Sequence, residues 1–303
     1  MTEQDFASAV EPLRRALRVH CYRMLGTAHD SDDLVQETLL RAWRARESLA
    51  DPARLRPWLF RIATNACLDE LARRPRSVLA SDVGAPSPAG HPPAAPADEI
   101  PWLEPMPDAW LPHDHDPAAR YALRESVALA FVAALQVLSP AQRAVLLLRD
   151  VVGFSAEETA AALDQTVAAT NSSLHRARRA IEDVEPGPSD IDDAVVARYV
   201  RAIAEQDVDA MLALLHEDIH TTMPPSPTWI AGRFENERFY RRMFAGWSPG
   251  EVRVVPIGVN GGLGFEFHRG GELRAIEAVE VRAGRIYRMH HFMQPAVVAV
   301  FAS

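Results

Sequence analysis

Lysine is absent: all 32 basic residues of the 303-residue chain are arginine. We read this as a GC-rich coding bias, so the abundance of arginine by itself says nothing about nucleic acid. Cysteine is nearly absent as well. Cys21 and Cys67 stand in apolar helical contexts, with no CxxC spacing and no neighbouring histidine. That argues against a structural metal and predicts two buried, reduced thiols; no metal and no cofactor is expected. The chain also lacks a signal peptide and any apolar run long enough to span a bilayer, so the expected protein is soluble and cytoplasmic, with no membrane partner. A formal charge of −9 argues against a general polyanion binder.

What is present is unevenly distributed. Residues 1–80 carry thirteen arginines against eleven acids and form the only net-positive segment, whereas residues 81–121 carry one against seven. A chain of this length holds two or three domains, each with its own core. The spacing predicts a first helix from about Phe6 to Leu25, with Val10, Leu13, Leu17 and Cys21 at three- and four-residue steps and Gly26 as its stop. Asp30 or Ser31 is placed to cap the next helix, with Asp32 and Asp33 in its first turn, where the dipole favours negative charge. Capping alone would explain that acidic pair.

The stretch Pro57–Arg76, PWLFRIATNACLDELARRPR, organises the rest. At helical period Leu59, Ile62, Ala63, Ala66 and Cys67 form an apolar stripe, and Arg61, Thr64, Asn65, Arg73 and Arg74 look the other way. Trp58 and Phe60 stand at its start. Aromatic faces beside guanidinium groups suit a strand whose bases are unstacked; an ordinary amphipathic helix is the plainer reading. The preceding Tyr22–Arg46, YRMLGTAHDSDDLVQETLLRAWRAR, shifts the balance. Together the two segments resemble region 2 of sigma-70-type transcription initiation factors. The resemblance implies that the helix opened by Asp32, Asp33, Leu34, Val35, Gln36 and Glu37 docks on the beta-prime clamp helices of bacterial core RNA polymerase. Asp32, Asp33, Leu34, Gln36, Glu37, Leu40 and Arg44 are its contact residues. It likewise implies that Arg54, Trp58, Arg61, Thr64, Asn65, Arg73 and Arg74 hold the promoter −10 element. In the related extracytoplasmic-function, or group 4, sigma factors, the loop matching Ser48–Arg56 holds a base flipped from the non-template strand. Where relatives commonly have two serines, this chain has Ala53 and Arg54.

From Ser77 to about Pro117 the composition turns to Pro, Ala, Gly and Asp, which reads as a linker. It is either a passive tether or an acidic ribbon for the basic channels of the polymerase, with Trp102 and Trp110 as anchors. Helical patterning returns at Ala118 and runs to Val184. Ser155 and Glu158 form a capping box, and a last helix is expected from about Thr166 to Ile181, making a helix-turn-helix with Ala160, Leu163, Val167, Leu174 and Ile181 as its small core. Leu138–Arg179, with its LSPAQR run and Leu-x-Arg-Ala-Arg ending, resembles sigma region 4. That resemblance implies contact with the polymerase beta flap and a recognition helix in the −35 major groove. Relatives often have Thr-Val-Lys-Ser-Arg where this chain has Ala169, Thr170, Asn171, Ser172 and Ser173. The readers left are Asn171, Ser172, Ser173, His175, Arg176 and Arg179; Asn suits adenine and Ser either base type.

After a PGPSD break, residues 190–303 read as an α+β unit: a helix from Ile191 to Glu205, then strands EVRVVPIGV, GLGFEFHR, LRAIEAVEVR and RIYRMHHFM, with RGGE and RAGR as hairpin turns. The order resembles the SnoaL-like fold of the nuclear-transport-factor-2-like superfamily, a curved sheet wrapped by helices around a conical cavity. His220, Met223, Trp229, Tyr240, Glu277, His290 and His291 are the candidate lining residues. Alternation puts His290 and His291 on opposite faces, and no carboxylate–histidine constellation stands out at diagnostic spacing. A regulatory role is therefore favoured over catalysis: this unit would pack intramolecularly against the sigma domains and could take a small-molecule ligand.

The expected architecture is multidomain: two all-α sigma domains (a region 2 bundle at 1–76 and a region 4 helix-turn-helix at 118–184) joined by the linker at 77–117, then the SnoaL-like α+β cone at 190–303. The expected function is a sigma factor, not an enzyme, that recruits core polymerase to −35/−10 promoter DNA. The alternative is a sigma-like DNA-binding protein whose cavity serves a sensor or an isomerase- or hydrolase-type enzyme.

Overall fold

The computed structural model describes residues 2–49, 51–88, 92–112, 116–182 and 193–302. The expected break at 186–190 and the helix start at Ile191 lie outside them. The chain divides into two compact units, one of residues 1–77 and 110–186, the other of 78–109 and 187–303.

In the first unit Thr2 and Asp5 box the start of α1 (Glu3–Leu25), and Gly26 ends it with a left-handed φ of 77°, which a glycine adopts without steric cost. Helix α2 (Ala28–Arg44) begins earlier than expected, after Thr27. The Thr27 hydroxyl donates to Asp30 at 2.7 Å, so Asp30 lies inside the first turn and Asp32 and Asp33 fall in the second. Helix α3 (Leu55–Leu71) closes a three-helix bundle by burying Leu59, Ala63, Ala66 and Cys67. Both cysteines are fully buried thiols.

The end of α1 departs from a single apolar stripe. Every residue from Val19 to Leu25 is buried, because a second set of helices covers its other side. These are α4 (Pro117–Val127), α5 (Leu129–Val137), α6 (Pro140–Leu146), a π turn at Leu147–Val151, α7 (Ala156–Ala162) and α8 (Val167–Ala180). One hydrophobic cluster runs from Leu17, Leu25 and Phe60 of the first bundle to Leu135, Leu147, Phe154 and Leu174 of the second. Each fully buried side chain of this size contributes about 1.5–3 kcal/mol. The two modules are distinct along the sequence yet share one core. Polar groups are matched at the seam. Arg143, 1% exposed, donates to the Met24 carbonyl and to Gln136 Oε1 at 2.6 Å, and Arg23 donates to the Ser126 carbonyl at 2.9 Å. Burial brings the Arg143 pKa down to about 10 and that of Arg23 to about 9.

The second unit is built on a six-stranded sheet in the order β2-β1-β6-β5-β4-β3. Its strands are β1 (Leu215–Thr222), β2 (Trp229–Ala231), β3 (Val252–Val259), β4 (Gly262–Arg269), β5 (Glu272–Arg282) and β6 (Arg285–Phe292). Only β1 and β6 pair in parallel among these neighbours. The hairpin turns Asn260-Gly261, Gly270-Gly271 and Ala283-Gly284 have positive φ at both residues, the backbone that matches strand twist. Helices α9 (Asp193–Glu205) and α11 (Arg233–Ala245) pack against the sheet, α10 (Val208–Leu214) packs against both of these helices, and α12 (Pro295–Phe301) lies against β5.

The segment expected to be a tether is fixed to this sheet over much of its length. At the β2 edge Ser87 donates to the Trp229 carbonyl at 2.7 Å and Ala97 to that of Pro225 at 2.9 Å, while Trp229 Nε1 donates to Gly84 at 2.8 Å. At the β3–β4 end the backbone of Met106 exchanges hydrogen bonds with Asn260, both at 2.9 Å. Trp102, Leu103 and Met106 are buried. Trp102 is thus an anchor within this unit, whereas Trp110 belongs to the helical unit, where the Arg18 guanidinium sits 4.5 Å over its ring.

Candidate nucleic-acid interface

Trp58, Arg61 and Asn65 follow one another at three- and four-residue steps and so share one side of α3, with Arg54 just before its start. Arg54, Arg61 and Asn65 are exposed, with no ion-pair or side-chain hydrogen-bond partner among the described residues. Trp58 is half-buried against the core. Two expected members of this face are not on it. Thr64 is 0% exposed, donates to the Phe60 carbonyl at 2.7 Å and lies 2.9 Å from His20 Nε2; one helical turn places it directly behind Phe60, on the core side. Arg74 turns back to pair with Asp30 and donates to Thr27 at 3.2 Å. Burial opposes the Asp30 charge, but hydrogen bonds from His29 and Thr27, together with Arg74, hold its carboxyl well below the usual range. Phe60 is not a surface platform either: it is 2% exposed and packs edge-on to His20 and Phe154. Arg73 is exposed, 3.9 Å from Glu70.

On α2, Asp33, Gln36, Leu40 and Arg44 form an exposed stripe at three- and four-residue steps. Leu40 is 51% exposed and, with Gln36, borders a groove of about 470 Å³ along α1. The other three expected contact residues have local work. Asp32 pairs with Arg18 at 2.5 Å, Glu37 with Arg41 at 2.8 Å, and Leu34 packs on the core.

On α8, Thr166 caps the start, and Asn171, Ser172, His175, Arg176 and Arg179 are exposed. Ser173, 7% exposed, faces the core beside Leu174 and Ala177, so it does not join them. Val167, expected in the core, is 37% exposed. Sequence reasoning passed over Arg178, which binds both oxygens of Asp150, at 2.9 and 2.7 Å, and so fixes α8 to the π turn. The helix before it opens with the expected Ser155–Glu158 box.

In the α+β unit a cavity of about 720 Å³ opens between α11 and the sheet. Met223 and His291 line it. Tyr240 is fully buried, its hydroxyl 3.2 Å from Met289 Sδ. His220 and Trp229 pack together at 5.2 Å between rings on the opposite face of the sheet, which they share with His290 through the register of Thr222. A carboxylate–histidine pair does exist here. Glu277 is directly across from His291, with Oε1 2.9 Å from Nδ1. Counting outward from the RAGR turn alone would have put Glu277 opposite His290; a bulge between Glu280 and Val281 shifts the register by one residue and exchanges the partner. Among the described residues no group of side chains is placed to hold a metal ion, and no helix is long and apolar enough to cross a membrane.

Comparison with known proteins matches the Sigma-70 region 2 family to residues 9–77, the Sigma-70 region 4 family to residues 128–181 and the SnoaL-like domain family to residues 196–289. The chain is 43% identical over 267 residues to the ECF RNA polymerase sigma factor SigG of Mycobacterium tuberculosis, covering 85% of this chain and 71% of that one. It is 28% identical over 315 residues to SigJ of the same organism, covering 95% and 91%. The crystal structure of the Mycobacterium tuberculosis extracytoplasmic-function sigma factor SigJ superposes with a TM-score of 0.66 at 26% identity, over 97% of this chain and 98% of that one.

Proposed function

The chain belongs to the extracytoplasmic-function RNA polymerase sigma factors, carrying helical sigma regions 2 and 4 and a SnoaL-like domain, and from that premise we propose how its helices share the work of initiating transcription. Helix α2 docks on core RNA polymerase through Asp33, Gln36, Leu40 and Arg44. Helix α3 holds the parted −10 strand, with Trp58 as a stacking face, Arg54 and Arg61 on phosphates and Asn65 on a base edge. Helix α8 lies in the −35 major groove, where Asn171, Ser172, His175, Arg176 and Arg179 reach base edges and phosphates. One observation carries this reading. Arg61, Arg176 and Arg179 are exposed without a carboxylate partner among the described residues, whereas neighbouring Arg41, Arg74 and Arg178 are each tied to one.

Elements centred at −35 and −10 are about 25 base pairs apart, or about 85 Å at the rise of B-DNA. A compact unit of about 150 residues is only about 40 Å across. The two helical modules therefore part when both elements are held, and the seam of Arg143, Gln136 and Arg23 is where they separate. The C-terminal domain modulates this opening through the segment from Val78 to Ala109, which joins region 2 to region 4 along the chain and is hydrogen-bonded to the C-terminal sheet.

Run-off transcription with purified core polymerase tests the assignment. The intact chain should direct initiation from a defined site, and Arg61→Ala with Asn65→Ala should abolish it while leaving −35 duplex binding in place. Undiminished transcripts from that variant would overturn the role given to α3.

A further inference from the structure

Arg56 takes no part in reading the promoter. It stands one helical turn before Phe60 on α3, on the side away from Trp58, Arg61 and Asn65, with its guanidinium 5.2 Å from the Phe60 ring and 5.6 Å from that of Phe154. Nη2 donates to the Val152 carbonyl at 3.0 Å. That bond leaves Nε and Nη1 with no partner, and the charge with no carboxylate, among the described residues.

Arg23, on α1, is in a similar position. Nε donates to the Ser126 carbonyl at 2.9 Å and Nη2 to the Ser126 hydroxyl, whereas Nη1 has no partner among the described residues and is not shut off from solvent. Burial alone lowers the Arg23 pKa, as expected of a cation with no counter-charge beside it.

Both guanidinium groups border a cavity of about 390 Å³. Ala16 and Val19 of α1, Phe60 of α3, Ala122 and Leu123 of α4 and Val151 of the π turn give it apolar walls. Asp150, a carboxylate in the same lining, has both oxygens taken by Arg178. The cavity therefore sets unanswered positive charge against apolar surface, and each helical module supplies part of it.

We propose that this cavity binds a small carboxylate with an apolar body, its oxygens on Arg56 and its charge in the field of Arg23, and that the bound molecule keeps the two helical modules closed. The volume lies in the range of small-molecule sites, and a guanidinium fork matches a carboxylate edge. A neutral molecule would leave both cations without a counter-charge. Because the walls come from both modules, the site is whole only while they are together, and a ligand of the closed form alone draws the chain towards it. The inhibition that follows rests on the parting of the modules over promoter DNA, whereas the binding does not.

Isothermal titration calorimetry of the full chain with 2-naphthoate and 2-naphthamide, followed by run-off transcription with core polymerase, tests the two halves apart. 2-Naphthoate should bind one-to-one and about tenfold more tightly than the amide. Arg56→Gln should remove that preference without weakening the amide, and Arg56→Lys should keep part of it. Ala119→Trp, which fills the cavity from α4, should weaken both probes. Should Arg56→Gln fail to fold, the Lys and Trp variants decide the matter. Saturating 2-naphthoate should reduce transcripts from the unaltered chain severalfold and spare those directed by Ala119→Trp. The site is overturned if neither probe binds, if the two bind equally well, or if Ala119→Trp leaves 2-naphthoate affinity unchanged, which would place the probe elsewhere. Preferential binding without any loss of transcripts would uphold the site and overturn its hold on the parting of the modules.

Discussion

In the helical unit the free guanidinium and amide groups, among them Arg61, Asn65, Asn171 and Arg176, stand outside. The arginines turned inward there are engaged, Arg143 with Gln136 and Arg23 with Ser126. In the α+β unit the arginines at the cavity rim are paired with carboxylates, and the partnerless His291 nitrogen is inside. A helix face repeats its donors every three or four residues along an open strip, which suits a long polyanion. A curved sheet under helices encloses a space and can isolate a single polar group in it. The same chemical resource, an unused hydrogen bond, is thus turned outward along a strip in one unit and enclosed in the other.

The largest test of the inward half of this contrast is acid. Burial, with the charge of Arg23, holds His20 neutral and brings its pKa from 6.5 down to about 3. The unfolded chain therefore takes up a proton between those values that the folded chain does not. Stability from this group is complete above pH 6.5 and is lost as pH falls towards 3, by a total on the order of 5 kcal/mol. Urea unfolding at pH 7 and pH 4.5 should show a smaller pH difference for His20→Gln than for the unaltered chain; equal differences would remove His20 from this role.

Leu40→Asp combined with Asp33→Ala should weaken binding to core polymerase by about a hundredfold, with unchanged circular dichroism because both side chains are outside the core. Retained affinity would contradict the docking role of α2. Arg176→Ala should weaken −35 duplex binding by about tenfold and lower its salt slope by about 1, while Ser173→Ala leaves both unchanged; equal effects would break the distinction between the two sides of α8. The smallest effect sharpens the same distinction on α3. Thr64→Ala should lower stability by about 1 kcal/mol and spare open-complex formation at a temperature where it is folded, and Asn65→Ala should do the reverse.

Much of the fold was legible in the sequence because the signals are local. Gly26, the Ser155–Glu158 box and the RGGE and RAGR turns each define an element boundary through their own backbone chemistry. Failures arose where a neighbour decides. Thr64 and Ser173 are small polar residues at the border of a helical stripe, and only the packing of His20 and of the Leu174 core draws them inward. The all-round burial of α1 after Val19 requires the second helical module, and the proline-rich composition of 78–109 hides the backbone donors that bind it to the sheet. Glu277 and His291 meet through a bulge that no composition or periodicity announces.

The opening proposed for the helical unit admits a direct measurement. Ala72→Cys and Ala168→Cys place fluorophores at exposed positions on the −10 and −35 modules, and the native cysteines are too buried to compete for label. The distance between the labels should lengthen by tens of ångströms when the chain joins core polymerase on promoter DNA. An unchanged distance in a complex that initiates transcription would contradict the parting of the shared core.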